Sequence, residues 1–598
     1  MPTAASRSPL AYAFAVGCIA AFLTYYIPRI DLANFGLPSL NELNLDFLQS
    51  LTAPAQVTDW ANRKEHYPVE ECIQIPDPTR KTLPRIQHQF KPQSESEAAV
   101  RKQRQKEVRL VIERSWRSYK KHAFPQDELK SISGTAQDIY GNWSMTLIES
   151  LDTLWITGLK EEYEEAVELV PGINFNVTSS QEGIGLYDVT SKILGGLISA
   201  YELSKDRRLK DKALEFATIL YAAFDTRNRM PNLQWDMLAT QRGERQRTPS
   251  NATIGEIGGL AVAFTRLAII TRDVKWYDAV ARIMNGMASQ QNSTSYPGLL
   301  PSNINLQESS LDGFGDIHVG PQSHAFYDSL PKMYALLRGS DQYKAMTKTA
   351  MDSIIQNLIF RPMIPPGYAT TNILLPGTLI NNTLQPRVHH TACTIAGTLA
   401  LASRLLRNET YLTTAQSLLN GYLWASQTTA LGIMPETFTV APCPNPSQPC
   451  TWNEETYNEH LLTTHNAPST TDPQILTWKH NLPPGLLSLP SRSYTLHPAL
   501  ISSLLTLYRI TGDDTLQDHA WNLWRSVYGR SKTKFAHAVL EDVMQAGAPK
   551  GDVMPSAWMG GTLKGFYLMF SEEEVGGFDE WVLGGGGHLM SLNREDLE

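Results

Sequence analysis

The stretch Leu154–Val167, LWITGLKEEYEEAV, carries an apolar helix end, a tight Thr-Gly break and a second helix that opens on leucine. Glycine at such a break supplies the left-handed backbone that ends a helix. The same theme returns in AYELSKDRRLKDKALEF (200–216), LAIITRDVKWYDAVARI (267–283), YALLRGSDQYKAMTKTA (334–350), SRLLRNETYLTTAQSLL (403–419) and TLYRITGDDTLQDHAWNLW (506–524). Asp206, Asp273, Asn408 and Asp513 stand as N-caps, each with an apolar or aromatic residue three positions later. The turns recur at roughly 50–100 residues, too irregular for a thin solenoid but suited to helical hairpins with long insertions stacked side by side. Closed on themselves, six or seven such hairpins form an all-α toroid.

Outward from the repeat, KEVRLVIERSWRSYKKHAF (106–124) places Val108, Val111, Ile112, Trp116 and Tyr119 on one helical face. The globular body is therefore expected over 101–598. Residues 28–100, with PDPTRKTLPRIQHQFKPQSESE, read as a proline-rich polar stem. Residues 10–27, LAYAFAVGCIAAFLTYYI, are uncharged and reach the lower limit of bilayer-spanning length. They are expected as an uncleaved signal anchor behind a cytosolic tail of residues 1–9, with a cleaved signal peptide as the competing reading. Both readings send the body into the secretory pathway. Six N-x-S/T sequons, at Asn142, Asn176, Asn251, Asn292, Asn381 and Asn408, agree with that compartment. CPNPSQPC (443–450) is expected as a disulfide-closed loop rather than a metal site, since no histidine or acid joins its prolines. The chain carries a net charge of -8 and no basic stripe, which argues against a nucleic-acid partner.

The segment NWSMTLIESLDTLWITGLKEEYEEAVELV (142–170) resembles glycoside hydrolase family 47, the class I α-1,2-mannosidases, and especially its fungal members. Further matching pieces follow in family order: YKKHAFPQDELKSISG, LGGLISAYELS, YAAFDTRNRMPNLQW, IGEIGGLAVAFTRL, LPKMYALLRG, GIMPETF and TLKGFYLMFS. The resemblance implies an (α/α)7 barrel plugged by a C-terminal β-hairpin. It implies inverting removal of α-1,2-linked mannose from high-mannose N-glycans, a calcium ion at the barrel floor, and type II lumenal placement in the endoplasmic reticulum or Golgi membrane. Inverting hydrolysis needs one protonated carboxyl for the leaving oxygen and one carboxylate to activate water.

This chain departs from the family pattern where that chemistry resides. YDVTSKILGGL puts Asp188 at the general-acid glutamate and Lys192 at the following arginine. Asp188 is one methylene short, and Lys192 is a point charge where a bidentate fork is usual. SHAFYDSLPK puts His324 at a catalytic aspartate and Asp328 at a nearby glutamate. LHPALISS puts His497 at an arginine, Ala499 at the general base and Ser502 at a second glutamate. Pro555, Gly561 and Ala263 replace further glutamates, and WVLGGGGHLM (581–590) puts Gly585 at the calcium-ligating threonine. Glu256, His390 and Glu436 remain as sugar-contact positions, with structural polar roles as the alternative. The family disulfide partner of Cys393 falls near Tyr422, so Cys393 is expected as a free buried thiol.

Catalytic candidates are therefore Asp188 and His324, and substrate-binding candidates Glu256, His390, Glu436 and Lys192. No metal ligand is assigned, the family calcium being expected as lost. Three readings follow: a binding or quality-control protein for high-mannose glycoproteins with impaired catalysis, a rewired glycosidase with weak or no calcium dependence, and a protein-interaction scaffold without sugar binding.

Overall fold

In the computed structural model, the described residues are 58–598, apart from 80–81, 181–182, 309–312, 369–371, 446–447, 449 and 594–598. The apolar stretch 10–27, Cys18 and residues 28–57 of the expected stem lie outside them. Trp60–Glu598 forms one compact unit.

Seven helices among the described residues stand nearly free of solvent. They are Met145–Ile156, Gly195–Ser204, Ala261–Thr271, His324–Leu336, Thr394–Leu406, Ala499–Thr511 and Lys564–Met569. Each packs on the next, and the turn Trp558–Leu563 that leads into the last returns to the first, closing a ring. Met145–Leu154 and Ala261–Ile270 are buried at every position. Ile254–Thr271 is long and apolar enough to cross a membrane, but it is 83% buried inside the barrel, so the ring's core explains its composition. Outside the ring run Glu95–His122, Lys160–Leu169, Arg207–Tyr221, Lys275–Gln290, Asp341–Asn357, Glu409–Gln427 and Thr515–Ser531. Most of these bury one stripe, Lys160–Leu169 only Tyr163, Ala166 and Val167, whereas Glu409–Gln427 is buried all round from Gly421 to Ser426. The architecture is the expected (α/α)7 barrel, with seven hairpins rather than an undecided six or seven.

The turns have a local cause. Lys205, Arg272, Arg407 and Gly512 adopt positive φ at the ends of inner helices. The next residue then accepts the backbone N–H two positions on: Arg208 to Asp206 at 2.9 Å, Lys275 to Asp273 at 3.1 Å, Thr410 to Asn408 at 3.0 Å and Thr515 to Asp513 at 3.0 Å. All four proposed caps act, although helices Lys275–Gln290 and Thr515–Ser531 begin one residue later than the pattern placed them.

The described residues of 60–94 fall within the expected stem, 28–100, and bond to the barrel. Asp225 accepts Arg63 Nη2 at 2.8 Å and the Tyr67 N–H at 2.9 Å, and Asp579 accepts the Ile86 N–H at 2.7 Å. This segment is an ordered strap across the barrel. The first helix starts at Glu95 behind a capping box of Ser94 and Glu97. SESE thus opens a helix, a signal hidden by the polar composition before it.

The closing hairpin pairs Trp581–Leu583 with Leu589–Ser591, and its tip of glycines enters the barrel. Its anchor is a fully buried triad. Lys564 Nζ lies 2.6 Å from Asp152 Oδ2, and His588 Nδ1 lies 2.9 Å from the same oxygen. Cys443–Cys450 forms the expected disulfide, and Cys393 is a free buried thiol. Tyr422, at the position of the family partner cysteine, donates its hydroxyl to the Ala392 carbonyl at 2.9 Å.

Candidate functional site

A cavity of about 560 Å³ opens at the centre of the ring. Its walls carry Asp188, Lys192, Glu256, His324 and Asp328, and its floor is the tip Gly584–Gly587. Two π-helical turns, Thr190–Leu194 and Trp558–Leu563, flank that tip. Such turns widen the helix and re-aim its side chains, and they recur at functional sites.

Lys192 projects from the first turn. Its Nζ donates to Tyr140 Oη at 2.9 Å, reaches Ser556 Oγ at 3.4 Å and lies 4.5 Å from the Tyr140 ring centroid. Burial alone would lower this amine, but neighbouring Glu149, Tyr140 and Glu128 outweigh it and hold the ammonium charged. Asp188 opens into the cavity. Desolvation raises its carboxyl, with Lys192 opposing and Glu256 and Glu149 adding to the rise. A raised carboxyl is what a proton donor requires.

His324 Nδ1 lies 3.1 Å from the Pro321 carbonyl and 3.3 Å from that of Gly320. Carbonyls only accept, so Nδ1 carries the proton and Nε2 keeps its lone pair. Burial holds this imidazole below its usual range, hence neutral at pH 7. Asp328, one turn on, is paired with Lys332 and accepts Thr398 Oγ1 at 2.9 Å.

Glu256 closes a capping box with Thr253, whose hydroxyl donates to it at 2.7 Å. It combines a structural role with a place in the wall. His390 and Glu436 are absent from the cavity wall. They gather with His389 on the far side of His497, whose ring stands edge-on to His390 with centroids 4.9 Å apart. The structure therefore brings Asp188, Lys192, Glu256 and His324 together and leaves His390 and Glu436 outside that group.

One cavity carboxylate escaped the sequence reading. Glu149 has 0% exposure, and neither carboxylate oxygen accepts a hydrogen bond. His588 Nε2 lies 3.9 Å from Oε1, and the Lys192 and Lys564 ammonium groups stand near enough to feel its charge. The available signal was the pair Glu149 and Asp152, three residues apart within the otherwise uncharged MTLIESLDTLWI.

At the hairpin tip no side chain offers oxygen. Gly586 adopts φ +68°, and a Cβ added there would stand 3.3 Å from Glu149 Oε1. A Cβ on Gly585 would stand 2.6 Å from Ser191 Cβ. Placing the family threonine there, Gly585→Thr, is accordingly expected to cost about 1–3 kcal/mol by overpacking, read as a lower denaturant midpoint. An unchanged midpoint would mean that the tip moves freely away from helix residues 190–194.

Residues 111–592 match the model of the family described as Glycosyl hydrolase family 47. The chain is similar to the endoplasmic reticulum mannosyl-oligosaccharide 1,2-alpha-mannosidase of Homo sapiens, 26% identical over 479 residues. That match covers 79% of this chain and 61% of the human protein, so the chain spans under two thirds of that relative's length. It is 24% identical to the mannosyl-oligosaccharide alpha-1,2-mannosidase of Penicillium citrinum, over 84% of this chain and 96% of the relative. Among solved structures, alpha-1,2-mannosidase from Trichoderma reesei superposes with a TM-score of 0.71 at 24% identity, covering 82% of this chain and 99% of that one.

Proposed function

The chain belongs to glycosyl hydrolase family 47, and we propose that it binds high-mannose N-glycans of glycoproteins in the central cavity, with α-1,2-mannosidase turnover strongly reduced and calcium lost. The observation that carries this reading is the composition of the cavity floor. Gly584–Gly587 and Ala499 line it where the family pattern has a ligand threonine and a base. Calcium takes six to eight oxygen ligands. Near the tip the described side chains offer the Glu149 carboxylate and the Ser191 hydroxyl, with the Lys192 and Lys564 ammonium groups beside the carboxylate. Such a donor set does not fit the ion. Alanine cannot activate water, so the base step lacks its group.

Recognition groups persist. Asp188, Glu256, Lys192 and the Asp328–Lys332 pair present charged donors and acceptors for sugar hydroxyls, and Phe578 and Trp581 add apolar wall. Residues 10–27 would hold the protein as a type II anchor in the endoplasmic reticulum or Golgi membrane, with the body lumenal.

Titrating the protein with a high-mannose oligosaccharide tests the reading. Saturable binding that weakens at least about tenfold in a Lys192→Met variant is expected, a loss of about 1.4 kcal/mol, as for a hydrogen bond to a charged group. No saturation would leave the third reading, a scaffold without sugar binding.

A second reading rests on the His324 tautomer. With Nδ1–H committed to carbonyls, Nε2 is an available proton acceptor across a cavity that also holds Asp188 with its raised carboxyl. That pair would support calcium-independent glycoside hydrolysis.

A further inference from the structure

Behind the central cavity, a three-stranded sheet of Arg387–His389, Thr437–Val440 and Leu486–Ser491 assembles a second polar group. His389 stands opposite Thr437 in the register, and Thr437 stands opposite Ser491. Glu436 directly precedes Thr437, while His390 begins the short helical turn that follows His389. One ligand atom from each of His389, His390 and Glu436 lies within 4.8 Å of the others.

The two carboxylate oxygens of Glu436 have different surroundings. Oε2 accepts Ser491 Oγ at 2.6 Å and Ser493 Oγ at 2.5 Å. Oε1 faces His389 Nε2 at 3.8 Å, too long for a hydrogen bond. It is close to the roughly 3.4 Å that separates two ligand atoms on a tetrahedral cation with bonds near 2.1 Å. The serine hydroxyls therefore orient the carboxylate from behind, as outer-shell partners do around bound metals. His390 is 6% exposed, and its Nε2 makes no hydrogen bond. A buried imidazole nitrogen left unused is costly unless something takes its lone pair.

His389 Nδ1 lies 2.9 Å from Thr391 Oγ1 and accepts the Thr391 N–H at 3.2 Å. Ligation through Nε2 would move the ring proton to Nδ1, which would donate it to the Thr391 hydroxyl in place of the Thr391 N–H bond that Nδ1 accepts in the unligated ring.

We propose that His389, His390 and Glu436 form a binding site for a divalent transition-metal cation of the zinc class, separate from the glycan cavity. Two imidazoles and one carboxylate suit zinc with an open position, whereas calcium prefers oxygen alone. A small cavity of about 180 Å³, lined by His389 with Asp316, His318, Arg387 and Thr437, gives that open position access to water. This inference stands independently of the glycan reading, since it uses no residue of the central cavity wall.

The test is a Zn²⁺ titration of the full-length chain in detergent micelles after chelator treatment, followed by calorimetry and by metal content after desalting. One equivalent is expected to bind at micromolar affinity or tighter. Glu436→Gln and His389→Ala are expected to weaken it at least about tenfold. His465→Ala is expected to leave it unchanged; that residue belongs to a different close histidine pair, stacked on His480 at 4.3 Å. Co²⁺ bound to the unaltered chain should give visible bands of nitrogen and oxygen ligation, a readout that does not depend on any variant folding. No stoichiometric Zn²⁺ in the unaltered chain would overturn the proposal, as would equal affinity in Glu436→Gln and His389→Ala.

Discussion

Replacing Lys564 with methionine is expected to destabilise the protein by about 3–5 kcal/mol, the penalty for leaving a buried charge without its partner. Lys564 and Asp152 have side-chain exposures of 1% and 0%, and they meet at 2.6 Å across 412 residues of chain. Burial pushes the Asp152 carboxyl up, but the Lys564 ammonium and His588 outweigh it and hold it well below the usual carboxylate range. A depressed carboxyl contributes stability that is fully present above its unfolded value near pH 4 and is lost as pH falls through the folded value. The share of the urea midpoint that this carboxylate supplies should therefore be lost only at strongly acidic pH, on top of the earlier decline that buried neutral imidazoles such as His324 and His390 impose as the unfolded chain takes up protons. Lys564→Met should start low and lose less on acidification. Equal midpoints for the two proteins at pH 7 would show that the triad does not hold the closing hairpin.

The second large effect concerns turnover. Incubated with a high-mannose N-glycan, the chain is expected to release mannose at least about a hundredfold more slowly than the Trichoderma reesei protein in a parallel assay, because removal of a general base costs about a hundred- to ten-thousand-fold. A chelator should change nothing. Rapid, chelator-sensitive release would overturn the proposed loss of calcium and with it the alignment of the glycine tip. Slow, chelator-indifferent release that rises with pH as His324 loses its proton and falls as Asp188 ionises would favour the rewired pair. Burial lowers His324 and raises Asp188, so that bell would be narrow and acidic.

How much was legible follows from the range over which each signal acts. The helical hairpins were readable because a left-handed residue and a cap act within a few positions, as at Lys205 and Asp206. The Cys443–Cys450 loop was readable because its ends lie seven residues apart. The replaced acids were readable as substitutions in ordered motifs, and Asp188 and His324 do face one cavity. The strap was not legible, because Asp225 and Asp579 order it from about 160 and 490 residues away. Nor was the separation of His390 and Glu436 from Asp188, since sheet register rather than motif order sets it.

By itself, then, the sequence determined an all-α toroid of helical hairpins, its family, and the replacement of residues at positions where the family pattern has acids and a threonine. Tertiary structure alone decided that Glu149 turns a carboxylate without a hydrogen bond toward the cavity, that a Cβ on Gly585 would meet Ser191, and that His389 joins His390 and Glu436. Periodicity and caps are local energies written in neighbouring residues, whereas a site is a meeting of side chains whose distances exist only once the ring has closed.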